Sequence, residues 1–169
     1  MISILNIQNL VVRFKLSKAV QIHAVNDVSL SLTEKETVGI VGESGCGKSV
    51  TFLSILGLIP KPPGVIESGS AIFNGKDLFK ISSKEIRKIR GSDIGFVFQD
   101  PMTSLNPVLS IGNQLSESVM LHRGFSRKDA DEHSINLLKQ VGIPDPAKRL
   151  TEFPHQFSGG MRQRVMFAL

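Results

Sequence analysis

One octapeptide, residues 42–49, constrains the fold of this chain more than any other stretch. It reads Gly-Glu-Ser-Gly-Cys-Gly-Lys-Ser, which matches the phosphate-binding pattern G-x-x-x-x-G-K-[ST]. Residues 37–41 before it are apolar and rich in β-branched side chains, as in a buried strand. Residues 50–59 after it are apolar almost all round, as in a buried helix, and Pro60 then stops the pattern. Strand, glycine-rich loop and helix in this order predict an α/β core that binds a nucleotide.

The residue types in this loop explain how it would hold phosphate. Glycines permit backbone turns that a Cβ would forbid, so successive N–H groups can face an anion at the N-terminus of the helix. Lys48 is predicted to reach the β- and γ-phosphates, and the Ser49 hydroxyl to be a ligand of Mg²⁺. A glycine-rich turn with a surface lysine is the structural alternative. We predict that a nucleoside triphosphate is bound by all eight residues: Gly42, Glu43, Ser44, Gly45, Cys46, Gly47, Lys48 and Ser49.

Composition limits the classes of protein to consider. The 169 residues suffice for one domain with a sizeable core, and no apolar run approaches the roughly 18–20 residues that span a membrane. Cys46 is the single cysteine, which excludes an internal disulfide and suits a reducing cytosol. The net charge of +5 raises nucleic acid or an acidic membrane surface as a partner, but the Lys and Arg residues are scattered and the chain has no Trp or Tyr to stack on bases. We therefore interpret the basic residues as a solvated surface.

The stretches on either side of the loop predict an antiparallel layer. Residues 2–14 read as a strand, residues 24–32 alternate like a half-exposed strand, and residues 69–75 predict a strand that ends in an Asn-Gly turn. Phe14 closes the first of these runs. It is placed either to stack on an adenine ring or to pack as a core or edge side chain, and the pattern favours neither.

A second apolar strand is predicted further along. Ser82 and Glu85 form a capping box that begins a helix through Arg90, and residues 94–98 then read as a buried strand. This strand carries Gln99 at its carboxyl end, where α/β sheets bind their ligands. Gln99 is thus a candidate to meet the phosphates or the metal, although its spacing alone favours a surface glutamine.

The last part of the sequence has a helical pattern. Residues 111–123 and 129–141 carry apolar side chains at helical spacing, with glycines after each segment. Near the end, Ser158 is a good N-cap, and Gly159 and Gly160 open another helix. Such a terminus can bind an anion, although a merely capped helix explains the same residues.

Three ordered motifs, GESGCGKS, VFQDPMTSLNP and PHQFSGGMRQRV, resemble those of ABC-transporter ATPase subunits. Within that family the chain is similar, along all 169 residues, to the branch that powers bacterial oligopeptide, dipeptide and nickel importers. The resemblance implies that Gln99 touches Mg²⁺ and the attacking water and senses the membrane subunits. It implies that Phe14 stacks on adenine. The signature motif, which would bind the γ-phosphate held by an opposite subunit, is then Ser158, Gly159, Gly160 and Met161, where Met161 replaces the commoner Gln as in the peptide branch.

The resemblance also implies the fold and its organisation. We expect an α/β P-loop NTPase core with an N-terminal antiparallel β-layer in residues 1–110, and an α-helical subdomain with the signature motif in residues 111–169. In the family, a strand that ends in Asp-Glu follows the signature helix and supplies the Mg²⁺ ligand and the catalytic base, and a later His contacts the γ-phosphate. The sequence reaches Leu169 before them. We therefore expect a partial ABC ATP-binding domain, truncated before Walker B, with exposed edges on two central strands and no hydrolysis by itself.

The implied function is ATP binding and hydrolysis coupled to peptide import, with ATP and Mg²⁺ as cofactors. The implied partners are a second ABC ATPase subunit, the permease subunits and, indirectly, a peptide-binding protein, with no nucleic acid. The implied location is the cytoplasmic face of the inner membrane. A non-transport ABC ATPase and a truncated remnant that does not hydrolyse ATP are the alternatives.

Overall fold

Alternating apolar strands build the first of the two units into which the chain divides, Met1–Arg87 and Lys88–Leu169. The computed structural model describes residues 3–98 and 104–169. The boundary predicted between residues 110 and 111 stays a prediction about domain organisation.

One four-stranded antiparallel sheet dominates the first unit. Its strands are β1 (Ser3–Lys15), β2 (Gln21–Thr33), β3 (Gly64–Phe73) and β4 (Lys76–Asp77). They lie in the order β2-β1-β3-β4. Ile7, Leu10 and Val12 of β1 are fully buried, and an irregularity of the ladder between Ile7 and Leu10 brings residues three apart to the same face. The predicted antiparallel layer is therefore confirmed.

The predicted Asn-Gly turn joins β3 to β4. Asn74 and Gly75 have φ values of 46° and 79°, the left-handed pair that a two-residue hairpin turn requires. The following strand is short, with Phe73 paired to Lys76.

The helix after the glycine-rich loop, α1 (Lys48–Ile55), ends four residues earlier than the apolar pattern predicted. Gly57 has a φ of 63°, and the Leu58 N–H donates to the Leu53 carbonyl at 2.7 Å. A left-handed glycine of this kind ends a helix by satisfying its last carbonyls, so Gly57 and not Pro60 is the stop.

Two predicted strands of the central sheet do not form among the described residues. Residues 37–41 belong to no strand, and residues 94–98 make only a single bridge between Arg90 and Ile94. The Val41 and Val97 side chains are 93% and 51% exposed, in accord with the expected exposure of apolar faces. A parallel strand is stabilised by hydrogen bonds to its neighbours, and the described parts of the chain supply none of these strand pairings to residues 37–41 and only the one bridge to residues 94–98.

Helices make up the second unit. Ser110, Ser126 and Ser158 each accept a hydrogen bond from a first-turn N–H, which is why three of the helices begin where they do. The predicted capping box is also confirmed, since the Ser82 N–H donates to the Glu85 carboxylate at 3.0 Å. The helices are α2 (Ser83–Ser92), which bridges the division between the units, α3 (Ile111–Arg123), α4 (Arg127–Gln140), α5 (Pro146–Arg149) and α6 (Gly159–Ala168).

The apolar faces predicted for these helices form one core. Ile111, Leu115 and Val119 are buried on a single face of α3, as their spacing predicted. Ile111 and Leu115 pack in one cluster with Leu138 from α4 and Val165 from α6. No helix in residues 3–98 and 104–169 is long and apolar enough to cross a membrane.

Candidate functional site

Two glycines shape the loop that precedes α1. Gly45 and Gly47 have φ values of 82° and 94°, which only glycine adopts at little cost. Gly47 is also the N-cap of α1. A Cβ on Gly47 would lie 2.4 Å from the Ala24 carbonyl oxygen, and one on Gly42 would lie 2.7 Å from the Cys46 sulfur. The loop thus needs glycine at Gly42 and Gly47 for space, and at Gly45 for its backbone conformation.

The Lys48 ammonium lies directly over this loop. Its Nζ donates to the carbonyls of Gly42 and Glu43, both at 2.7 Å, and approaches the Cys46 sulfur at 3.4 Å. The flexible side chain of Lys48 therefore places its positive charge next to the backbone of the loop. The positively charged Lys48 ammonium thus lies where the sequence predicts that the phosphates bind.

The N-terminus of α1 is open beside this cation. The first N–H groups of a helix have no intrahelical partner and carry partial positive charge. Ser44, Cys46 and Ser49 are exposed here, so their polar groups are available to a ligand. Thr51 anchors the turn from within, because its hydroxyl and its N–H both donate to the Gly47 carbonyl, at 3.0 and 2.9 Å. The arrangement can bind an anion and offers the Ser49 hydroxyl to a cation that accompanies it.

A cavity of about 420 Å³ adjoins the loop. Its walls combine the loop and α1 with the apolar side of β2, and include Val25, Val28, Gly47, Lys48 and Phe52. The cavity therefore lies between the loop and β2, and Lys48 is part of its wall.

The second predicted anion site lies in the helical unit. The Ser158 hydroxyl accepts from the Met161 N–H at 3.3 Å and thereby caps α6. Ser158, Gly159 and Gly160 are exposed, and a Cβ on either glycine would meet nothing within 4 Å. Met161 instead packs against the core of the unit. The structure thus presents Ser158 and the two glycines on an open helix end.

Buried contacts fix the chain just before this helix. Phe157 is 2% exposed, and the Arg149 guanidinium lies 5.7 Å from its ring centroid. The Arg162 Nε donates to the Phe157 carbonyl at 2.9 Å. The side chain of Phe157 is therefore fixed by Arg149 and its backbone by Arg162, and these contacts position Ser158 at the start of α6.

The other two candidates have different outcomes. Phe14 is half-buried on β1, opposite Gly64, and a Cβ on Gly64 would lie 3.3 Å from its ring. The ring thus packs on the backbone of β3, as the edge-residue interpretation requires, and its stacking on adenine stays a prediction. Gln99 lies outside the described residues.

Ala24 contributes to the site although the sequence analysis did not single it out. Its carbonyl oxygen is the atom that any side chain at Gly47 would strike. The contact uses a backbone atom, so no residue type in the sequence signals it.

A profile of the family described as ABC transporter matches residues 25–169. The chain is 50% identical to the dipeptide transport ATP-binding protein DppD of Bacillus subtilis (strain 168), over 98% of this chain and 49% of that protein. It is 47% identical to the oligopeptide transport ATP-binding protein OppD of the same strain, over 98% and 46% of the two chains. It is 48% identical to DppD of Escherichia coli (strain K12), over 99% and 50%. The chain thus spans about half the length of the curated relatives it matches.

The fold is similar to that of solved ATP-binding cassettes. A dimeric post-hydrolysis structure of the cassette MJ0796, bound to ADP and Pi, superposes with a TM-score of 0.82 at 28% sequence identity. The match covers 97% of this chain and 67% of that one. The α/β fold class predicted from the sequence is confirmed by this similarity.

Proposed function

Because the chain belongs to the ABC transporter family, we propose that it binds MgATP at residues 42–49 and acts as the ATP-binding subunit of a peptide importer. The observation that carries this proposal is the loop geometry. The Lys48 ammonium is bound by the Gly42 and Glu43 carbonyls of a loop whose Gly45 and Gly47 are left-handed, at the N-terminus of α1. Such a loop attracts a polyanion by charge and by N–H donors together.

Each loop residue has a role in this proposal. The Lys48 ammonium exchanges its bonds to the Gly42 and Glu43 carbonyls for phosphate oxygens when the nucleotide enters. The exposed Ser49 hydroxyl is the ligand that the first turn of α1 offers to Mg²⁺. Mg²⁺ neutralises charge on the phosphates when it is bound. Gln99 is the second proposed metal and water contact, and Phe14 the proposed adenine contact.

Coupling to transport requires further subunits. We infer that a second ABC ATPase presents its signature motif to the nucleotide held here, while Ser158, Gly159, Gly160 and Met161 of this chain contact the nucleotide held by the partner. The exposed end of α6 supports this role, because it leaves N–H groups free of side-chain cover. Permease subunits would bind the ATPase pair at the cytoplasmic face of the membrane, and a peptide-binding protein would deliver the substrate. The names of the relatives, dipeptide and oligopeptide transport ATP-binding proteins, support peptides as the cargo.

Nucleotide binding is tested by calorimetric titration of MgATP into the wild-type chain and into Lys48→Ala. We expect the variant to lose at least about tenfold in affinity, because a charge-assisted contact to phosphate contributes about 1.5–3 kcal/mol. Lys76→Ala, which removes an exposed lysine on β4, is the matched control and should bind like the wild type. Equal affinities of all three proteins would contradict phosphate binding at this loop.

The transport role is tested in cells that import dipeptides through permease subunits encoded with this gene. We expect the gene product to co-purify with those subunits and to be required for dipeptide uptake. Purification without permease subunits and normal uptake in its absence would favour a non-transport ATPase.

A further inference from the structure

Two irregularities in the sheet face each other across β1. Val12 pairs with Val25 and Arg13 with His23, so β2 has one extra residue, Ala24, at this step. On the other side of β1, Val11 pairs with Ser68 and Val12 with Ile66, so β3 has an extra residue, Glu67. Each is a β-bulge, a device that bends a strand and redirects its backbone groups.

The Arg13 side chain joins these two bulges. Its Nη1 donates to the Val25 carbonyl at 2.7 Å and to the Val12 carbonyl at 3.2 Å. Its Nε lies 3.5 Å from a carboxylate oxygen of Glu67. The other Glu67 oxygen accepts from the Gln21 amide at 3.1 Å, which closes the connection back to β2. The Arg13 side chain is only 12% exposed, so its bonds to the two carbonyls are partly shielded from water, while the Glu67 side chain is 37% exposed.

The bulge on β2 is also the surface on which the phosphate loop rests. Ala24 is its extra residue, and the Ala24 carbonyl oxygen would lie 2.4 Å from a Cβ on Gly47. The Val25 side chain would lie 3.8 Å from the same atom. Arg13 therefore binds the peptide group next to the one that contacts Gly47.

We propose that Arg13 is a positioning residue for the phosphate loop, which acts by holding the bulge at Ala24 in the shape that supports the Gly47 turn. The inference extends the proposed function, since it assigns control of nucleotide affinity to a side chain outside the loop. A shift of the Ala24 carbonyl toward Gly47 leaves less space for the turn of the phosphate loop at Gly47, and a shift away from Gly47 removes the contact that supports this turn. In either case the N–H groups of the loop lose their alignment on phosphate.

The geometry of a guanidinium explains why arginine serves here. Arg13 uses Nη1 on two carbonyls while Nε faces the Glu67 carboxylate, so three acceptors are engaged by one planar group. Lysine has one nitrogen and cannot meet acceptors on both sides of β1 with the same orientation. Arg13→Lys should therefore restore part of what Arg13→Met removes.

The test combines two readouts on Arg13→Met, Arg13→Lys and Glu67→Gln. The first is the amide chemical shift of Gly47 in the nucleotide-free protein, and the second is the dissociation constant for MgATP. We expect the Gly47 signal to move most in Arg13→Met and less in the other two. We expect the dissociation constant to rise about tenfold in Arg13→Met and about threefold in Arg13→Lys. If Arg13→Met does not fold, the other two variants decide the question.

Two controls separate positioning from charge and from stability. Lys15→Met removes a positive charge from an exposed side chain of the same strand and should change neither readout. Asn9→Ala breaks the 2.8 Å bond from Asn9 to Asp27 at another irregularity of the β1–β2 ladder, and should lower the melting temperature without moving the Gly47 signal. An unmoved Gly47 signal in the Arg13 variants, or one that moves equally in Asn9→Ala, would overturn the proposal. If the wild type does not bind MgATP, the proposed function fails while the Gly47 signal still tests the positioning role.

Discussion

Replacing Gly47 with alanine tests the loop geometry most directly. The φ of 94° is a conformation that costs a non-glycine residue roughly 1–2 kcal/mol. The new Cβ would also lie 2.4 Å from the Ala24 carbonyl, and forced packing of this kind typically costs about 1–3 kcal/mol. We therefore expect Gly47→Ala to lower the free energy of unfolding of the first unit by about 2–5 kcal/mol.

Gly45→Ala is the matched variant for this measurement. Its φ is 82°, but a Cβ there would meet nothing within 4 Å, so only the conformational cost of roughly 1–2 kcal/mol applies. Urea unfolding, followed through the amide NMR signals of β1 and β2, gives the free energies. Fluorescence is unsuitable because the chain has no Trp or Tyr. The slope of the free energy with urea should be unchanged in both variants.

The difference between the two variants isolates the contact with Ala24. We expect Gly47→Ala to be less stable than Gly45→Ala by about 1–3 kcal/mol. Equal destabilisation would mean that the loop does not rest on β2, and would refute both the packing argument and the role assigned to Ala24.

Three further predictions concern other parts of the chain. Burial raises the pKa of Asp131, but hydrogen bonds from Arg127 and Ser116 outweigh it and lower the pKa below its ordinary 3.8. Asp131 should therefore contribute its whole stabilisation at pH values above 3.8 and lose it as the pH falls through the lower pKa of the folded state. Asp131→Asn should accordingly reduce the fall in melting temperature at acid pH, measured in melting curves at a series of pH values. Ser158→Ala should weaken the start of α6 by about 1 kcal/mol, measured by faster amide exchange in its first turn. Phe14→Leu should raise the dissociation constant for MgATP at least about fivefold if the ring stacks on adenine, and leave pyrophosphate binding unchanged.

Local signals account for the elements that the sequence predicted correctly. The Asn74-Gly75 turn, the capping box at Ser82 and the serine cap at Ser158 each follow from side chains within a few residues of the feature they control. The buried face of α3 follows in the same way from helical spacing. Such features are decided by neighbours in the chain, so they can be predicted from it.

The strands predicted at residues 37–41 and 94–98 do not form, because local composition does not determine strand pairing. Their composition is that of buried strands, but a strand also needs hydrogen-bonding neighbours, which composition does not supply. The predicted end of α1 was also wrong, because the apolar pattern places Gly57 inside the helix, whereas its left-handed backbone ends the helix.

The candidates for the nucleotide site could be named from the amino-acid sequence alone, because the spacing of Gly42, Gly47 and Lys48 matches the phosphate-loop pattern and lies between an apolar run and a helical pattern. The surface that supports the loop follows instead from the pairing of β1 with β2. The Ala24 carbonyl meets the loop at Gly47, and the Arg13 side chain bonds the next carbonyl of the same bulge, at Val25; the bulge itself arises from the register between strands. Register depends on residues distant in sequence and on backbone atoms that every residue has, so no local pattern predicts it.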